Sequence, residues 1–144
     1  MVTGSKYLLD HRNQHVLTDC GLFQGYNQLR LHNRDPFQLP VSDLDAIVLT
    51  HAHLDHSGYL PVLVRNGYRG PVYATPATCE LVKILLLDSG RLQEEEADLP
   101  VTTAADCCEM RRTTRTCINP RLFISDVPAR GLRAHRHCPA SPQT

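Results

Sequence analysis

Residues 46–58 read Ala-Ile-Val-Leu-Thr-His-Ala-His-Leu-Asp-His-Ser-Gly, and this stretch decides the fold. Ala46 to Leu49 is a continuous apolar run with β-branched members, the pattern of a strand buried on both faces between layers of helix. His51, His53, Asp55 and His56 follow within six positions. At the extended end of a strand, residues i and i+2 point the same way, so His51 and His53 can grip one ion together. The chain then turns into a helix, which swings Asp55 and His56 toward a second position. Three imidazoles and a carboxylate suit a borderline cation such as Zn²⁺. Gly58 lets the turn pack tightly. An isolated histidine at a strand end is usually a hydrogen-bonded polar residue; three with an aspartate in six positions point to metal.

Working outward, residues 6–9 and 14–18 form two short strands joined by the turn-compatible Asp10 to Asn13, a hairpin. Asp19-Cys20-Gly21 ends the second strand, and a short helix is expected over 26–34. Downstream, 59–66 reads as a helix ended by Gly67, and 71–74 as a strand. Thr75-Pro76 opens a helix running to about Ala97, with an interruption at Ser89-Gly90. Glu94 to Glu96 reads as a solvated face. Strands alternating with helices place residues 1–98 in the α/β class. Beyond 98 no period of 2 or 3.6 is sustained, and only Arg121 to Ser125 looks strand-like.

Composition sharpens that division. The 144 residues balance 15 Lys+Arg against 15 Asp+Glu, yet residues 1–100 hold 8 basic and 12 acidic side chains, net −4, and 101–144 hold 7 and 3, net +4. All seven basic residues of the tail are Arg, and four of the six Cys fall there. Arg without Lys, clustered Cys, Thr and Pro, and lost periodicity are expected of an out-of-frame reading of a GC-rich gene. Residues 99–144 are therefore expected to be an unrelated, disordered or frameshifted tail. His135, His137 and the tail cysteines lack paired Cys-x-x-Cys spacing, so no zinc site is expected there. An RNA-binding tail is not favoured either, since Phe123 is its lone aromatic. No secretory signal is legible, and the longest aliphatic run, Ile84 to Leu87, is far short of the ~20 residues of a membrane span. A cytoplasmic protein without membrane attachment, with reduced cysteines, is expected; Cys20 and Cys79 read as small buried hydrophobes.

The string HAHLDH fits the HxHxDH signature of the metallo-β-lactamase superfamily, and Asp19 in VLTDCG resembles the superfamily's first motif. Together with TPAT, LLLDSG and QEEEA, residues 2 to about 97 resemble one branch, the β-CASP RNA-processing hydrolases. The resemblance implies the first half of an αββα sandwich and two zinc ions, one on His51 and His53, the other on Asp55 and His56. It implies that Asp19 supports the metal site from behind, that Asp55 helps orient the nucleophile, and that RNA is the substrate. The family also has a strand before the VTGS segment, and later a third-motif His, a bridging Asp and a final His. None of these is matched here, so an incomplete domain, inactive alone, is expected. The alternatives are a thioester or lactone hydrolase on the same scaffold, which TPAT…LLLDSG…QEEEA argues against, and a non-catalytic truncated product.

Overall fold

A computed structural model describes residues 4–24, 30–96, 100–113 and 133–136. Among the described residues five strands form one sheet: β1 (Lys6–His11), β2 (Gln14–Cys20), β3 (Ala46–Val48), β4 (Val72–Tyr73) and β5 (Arg133–Arg136), in the order β4-β3-β2-β1-β5. The β1–β2 hairpin turns through Arg12 and Asn13, both at positive φ (49° and 64°). That is the backbone a two-residue turn needs to match the twist of its strands. β2, β3 and β4 run parallel, and β1 is antiparallel to both its neighbours.

Between β3 and β4 lie α1 (Leu54–Ser57) and α2 (Leu60–Arg65); α3 (Pro76–Glu96) and α4 (Ala104–Thr113) follow β4. Thr75 caps α3, its Oγ1 accepting the Thr78 N–H at 3.2 Å. The core joins Leu17 of β2, Ile47 of β3 and Val72 of β4 to Leu60, Leu63 and Val64 of α2 and Val82 and Leu86 of α3, all almost wholly buried. Each such side chain contributes roughly 1.5–3 kcal/mol on leaving water. Ile47 fits the expectation of a strand buried on both faces, whereas Val48 is only half-buried. No helix among the described residues is long and apolar enough to cross a membrane.

Three expectations need correction or refinement. First, folded structure does not stop at residue 98. α4 packs on α2 and α3, with Cys107 and Met110 about 1% exposed in the same core. Its start is a reciprocal cap: Asp106 N–H donates to Thr103 Oγ1 (3.1 Å) and Thr103 N–H to Asp106 Oδ2 (2.9 Å). Ser89-Gly90 is thus no interruption but the place where α3 lets this segment approach, since a side chain at Gly90 would meet the Thr103 and Ala104 backbone. Second, the helix expected over 26–34 needs only its end refined: in the described part Arg30 and Leu31 are helical and run into a 3-10 turn at His32–Arg34, and the buried Asn33 side chain bonds both the N–H (2.7 Å) and the carbonyl (2.9 Å) of Phe23. Third, Cys79 is buried but disulfide-bonded, while Cys20, Cys107 and Cys108 are free. The expected strand 121–125 and Cys117, His137 and Cys138 lie outside the described residues, as do 25–29.

Candidate metal centre

Parallel strands β2 and β3 end side by side, and the predicted residues gather just beyond their carboxyl ends, where ligand sites of open α/β sheets sit. Asp19 is the pivot. It is 3% exposed and held at φ +59°, a left-handed conformation that Asp tolerates better than most residues. Its Oδ1 accepts the Thr50 N–H at 2.8 Å, and the Thr50 hydroxyl lies 2.9–3.0 Å from both carboxylate oxygens. Its Oδ2 is 2.9 Å from His56 Nδ1.

This one carboxylate sets two imidazoles. A proton on His56 Nδ1, donated to Asp19, leaves the His56 Nε2 lone pair free, and that atom lies 3.3 Å from Asp55 Oδ2. The Thr50 hydroxyl donates to Asp19 and is 3.0 Å from His51 Nδ1; accepting that proton leaves His51 Nε2 free, 3.1 Å from His53 Nδ1. Such outer partners fix the tautomer of metal-binding histidines. The rings are close: 4.8 Å between the centroids of His51 and His53, and 4.0 Å between those of His51 and His56.

The donor atoms fit zinc as two pairs. Two ligands at 2.0–2.2 Å from one tetrahedral zinc lie about 3.3 Å apart. His51 Nε2 with His53 Nδ1, and Asp55 Oδ2 with His56 Nε2, have that spacing. Among the described residues, no group of three or more His, Cys, Asp or Glu forms a ready metal cage. The four residues therefore make two half-sites.

Main-chain bonds hold the half-sites in place. Ser5 N–H donates to the Asp55 carbonyl (2.7 Å), Leu22 N–H to that of Leu54 (2.9 Å) and Tyr59 N–H to that of Cys20 (2.8 Å). Gly21 is pressed so closely on Asp55 that any side chain there would overlap the Asp55 carbonyl. Gly58 is similarly tight against Leu54 and Leu22, as its place in the turn required. The Ser57 hydroxyl donates to the Ala52 carbonyl (2.9 Å) and closes the segment from within. Sequence reading singled out Asp19, His51, His53, Asp55, His56 and Gly58, and the structure brings them together. It passed over Thr50, Ser5 and Gly21. Gly21 carried a legible signal, a glycine straight after a strand facing the ligand segment; nothing marked Thr50 or Ser5.

Beneath this clamp, Lys6 is 2% exposed, its ammonium 3.6 Å from the Tyr59 ring centroid and 5.4 Å from that of Phe23. Burial lowers its pKa to about 8, against the opposing pull of Cys20 and Asp35. Burial likewise pushes the Cys20 thiol and the Tyr59 hydroxyl up.

The family model described as the metallo-beta-lactamase superfamily matches residues 2–94. A relative named ribonuclease TTHA0252, from Thermus thermophilus, is 52% identical over 94 residues, covering 65% of this chain and 21% of that protein. A transcription termination factor FttA, from Cenarchaeum symbiosum, is 36% identical over 122 residues, covering 83% and 19%. A match of that length cannot stop at residue 98, in agreement with the packing of α4. The chain thus spans about a fifth of these curated relatives. A solved metallo-beta-lactamase from Cronobacter sakazakii aligns over 71% of this chain and 40% of that one, at 25% identity and a TM-score of 0.45.

Proposed function

The chain belongs to the metallo-beta-lactamase superfamily, and from that premise we propose that its 51–56 segment is the zinc-binding face of a β-CASP-type RNA-processing hydrolase that cleaves phosphodiester bonds. The observation that carries this reading is the pair of donor spacings, 3.1 and 3.3 Å, set by one buried aspartate. The names of the two relatives, a ribonuclease and a transcription termination factor, support RNA as substrate over a thioester or lactone. RNA in the cytoplasm, rather than a membrane, is then the partner.

In this reading two zinc ions are held, one by His51 Nε2 and His53 Nδ1, the other by Asp55 Oδ2 and His56 Nε2. Bound zinc supplies Lewis acidity and a nucleophilic water at neutral pH. Asp19 keeps His56 in the tautomer that leaves Nε2 free, and through Thr50 does the same for His51. Asp55 keeps its second oxygen for a hydrogen bond that orients the attacking water. Catalytic zinc sites draw on three protein ligands, and among the described residues each half-site offers two. The isolated chain therefore binds zinc weakly and hydrolyses RNA at background level.

The test is zinc content and labelled-RNA cleavage of the purified chain beside His53→Ala. Weak zinc binding lost in the variant, with background cleavage in both, is expected. Zinc-dependent cleavage that His53→Ala abolishes would overturn the inactivity of the chain alone. Zinc binding that His53→Ala leaves unchanged would overturn the metal assignment.

A further inference from the structure

The proposed reaction does not use Lys6, yet the contacts of Lys6 close a loop around the ligand segment. In the β1–β2 ladder Lys6 stands opposite Cys20 and Tyr7 opposite Thr18, so the register steps at Asp19, which has no residue opposite it on β1. This is a bulge, a device that re-aims a side chain beside a site, and Asp19 makes it at φ +59°. The Cys20 carbonyl accepts the Tyr59 N–H at 2.8 Å. Tyr59 stands two residues past the end of α1, which carries Asp55 and His56, and its ring centroid lies 3.6 Å from Lys6 Nζ. Lys6 to Cys20, Cys20 to Tyr59 and Tyr59 back to Lys6 thus form a closed circuit. Next to Lys6 on the same strand end, Ser5 grips the Asp55 carbonyl.

Packing does not call for a cation here. Lys6 is 2% and Tyr59 3% exposed, and a buried ammonium costs stability that an unbranched apolar side chain such as Met avoids. Burial lowers the Lys6 pKa to about 8, so the cation is still present at neutral pH. A core position that breaks the local rule is where a functional role is expected. We propose that Lys6 is a positioning residue of the Asp55–His56 half-site: its ammonium, seated on the Tyr59 ring, holds α1 against the Asp19 bulge. A cation over the face of a desolvated ring is attracted to it, and this attraction ties β1 to the residue that leads from α1 into α2. Without it the Tyr59 N–H bond to Cys20 loses its brace, and the 2.9 Å contact of His56 Nδ1 with Asp19 Oδ2 loosens. His51 and His53 precede α1, and Asp19 keeps the Thr50 N–H at 2.8 Å independently of Lys6, so their half-site is spared. The inference rests on the proposed zinc site and adds to it a buried cation on β1 that sets the affinity of one half.

The test uses the full chain with Lys6→Met, Tyr59→Leu and Tyr59→Phe, each made singly. Zinc titration followed by nitrogen-15 NMR of the histidines reads the two half-sites separately. Lys6→Met is expected to weaken zinc binding at His56 Nε2 about tenfold and to leave binding at His51 Nε2 and His53 Nδ1 unchanged. It is also expected to unfold at higher urea than wild type at pH 7. Those two effects have opposite signs, whereas a residue with only a structural role would move both the same way. Tyr59→Phe keeps the ring and is expected to keep the affinity; Tyr59→Leu removes the ring and is expected to reproduce the Lys6→Met loss. Either partner of the contact can be removed, so a fold lost in one variant leaves the other to decide. Wild-type affinity at His56 in Lys6→Met would overturn the proposal, as would an equal loss at both half-sites, a joint loss of urea resistance and affinity, or a loss in Tyr59→Phe matching that in Lys6→Met. A wild type that takes no zinc would sink the metal reading instead, and the metal-free His56 ring then decides. Its proton is expected on Nδ1 in wild type and shared with Nε2 in Lys6→Met; an unchanged tautomer ends the inference.

Discussion

Asp19→Asn is the sharpest perturbation of the metal centre, because it changes charge and proton placement while sparing the backbone. Asn tolerates the left-handed conformation at φ +59° as readily as Asp. Its side-chain oxygen can still accept the Thr50 N–H, which in the wild-type chain lies 2.8 Å from Asp19 Oδ1. The group facing His56 Nδ1 becomes an amide NH2, which donates where the carboxylate accepted at 2.9 Å. His56 must then accept at Nδ1 and carry its proton on Nε2, the atom the metal needs. Loss of an outer partner of this kind costs about 10–100-fold in metal affinity, or about 1.4–2.8 kcal/mol. Zinc titration of the full chain against a chromophoric chelator reads this directly, with urea unfolding as the control. Thr50→Val, which breaks only the path to His51, is expected to lose about tenfold. An Asp19→Asn protein that folds normally and binds zinc within about twofold of wild type would refute the tautomer argument.

Lys6 makes a pH prediction. Its pKa is about 8 in the folded chain against an ordinary 10.5, so between those values the unfolded chain holds the proton that the native chain has lost. Stability therefore rises with pH across that window, by about 3 kcal/mol in total. The raised thiols of Cys20 and Cys107 and the raised hydroxyls of Tyr59 and Tyr68 act oppositely above pH 9. They are common to Lys6→Met, so the gap between Lys6→Met and wild type in urea unfolding should shrink from pH 7.5 to 10.5; a constant gap contradicts the assignment. Gly21→Ala drives a methyl into the Asp55 carbonyl and is expected to cost about 3 kcal/mol and to abolish zinc binding, read by the same titrations. Met110→Ala empties a core position of α4 and is expected to cost about 2–5 kcal/mol; a loss below about 0.5 kcal/mol would remove α4 from the core.

The hairpin, β3 and the start of α3 were legible because each carries its signal locally: alternation, an apolar β-branched run, and Thr75-Pro76. So were the ligands, since His51, His53, Asp55 and His56 sit within one turn of chain. α4 was not read because few apolar residues face its neighbours, Cys107 and Met110 chief among them, too few to mark a helical period. Its capping pair, Thr103 and Asp106, stood in the sequence and was passed over. Thr50 and Ser5 escaped for a different reason. Their roles rest on partners 31 and 50 positions away, Asp19 and Asp55, and a contact across folded strands leaves no local pattern. The charge division at residue 100 remains a feature of composition. The core contacts of Cys107 and Met110 put residues 101–113 on the folded side of it.

The central claim is that four residues of this chain hold zinc through specific ring and carboxylate atoms. Nitrogen-15 NMR of the histidine side chains during zinc titration tests it most directly. The account predicts metal-induced shifts at His51 Nε2, His53 Nδ1 and His56 Nε2, with His56 Nδ1 staying protonated and His11, His15 and His32 unmoved. Shifts at other ring nitrogens, or none up to millimolar zinc, would contradict it.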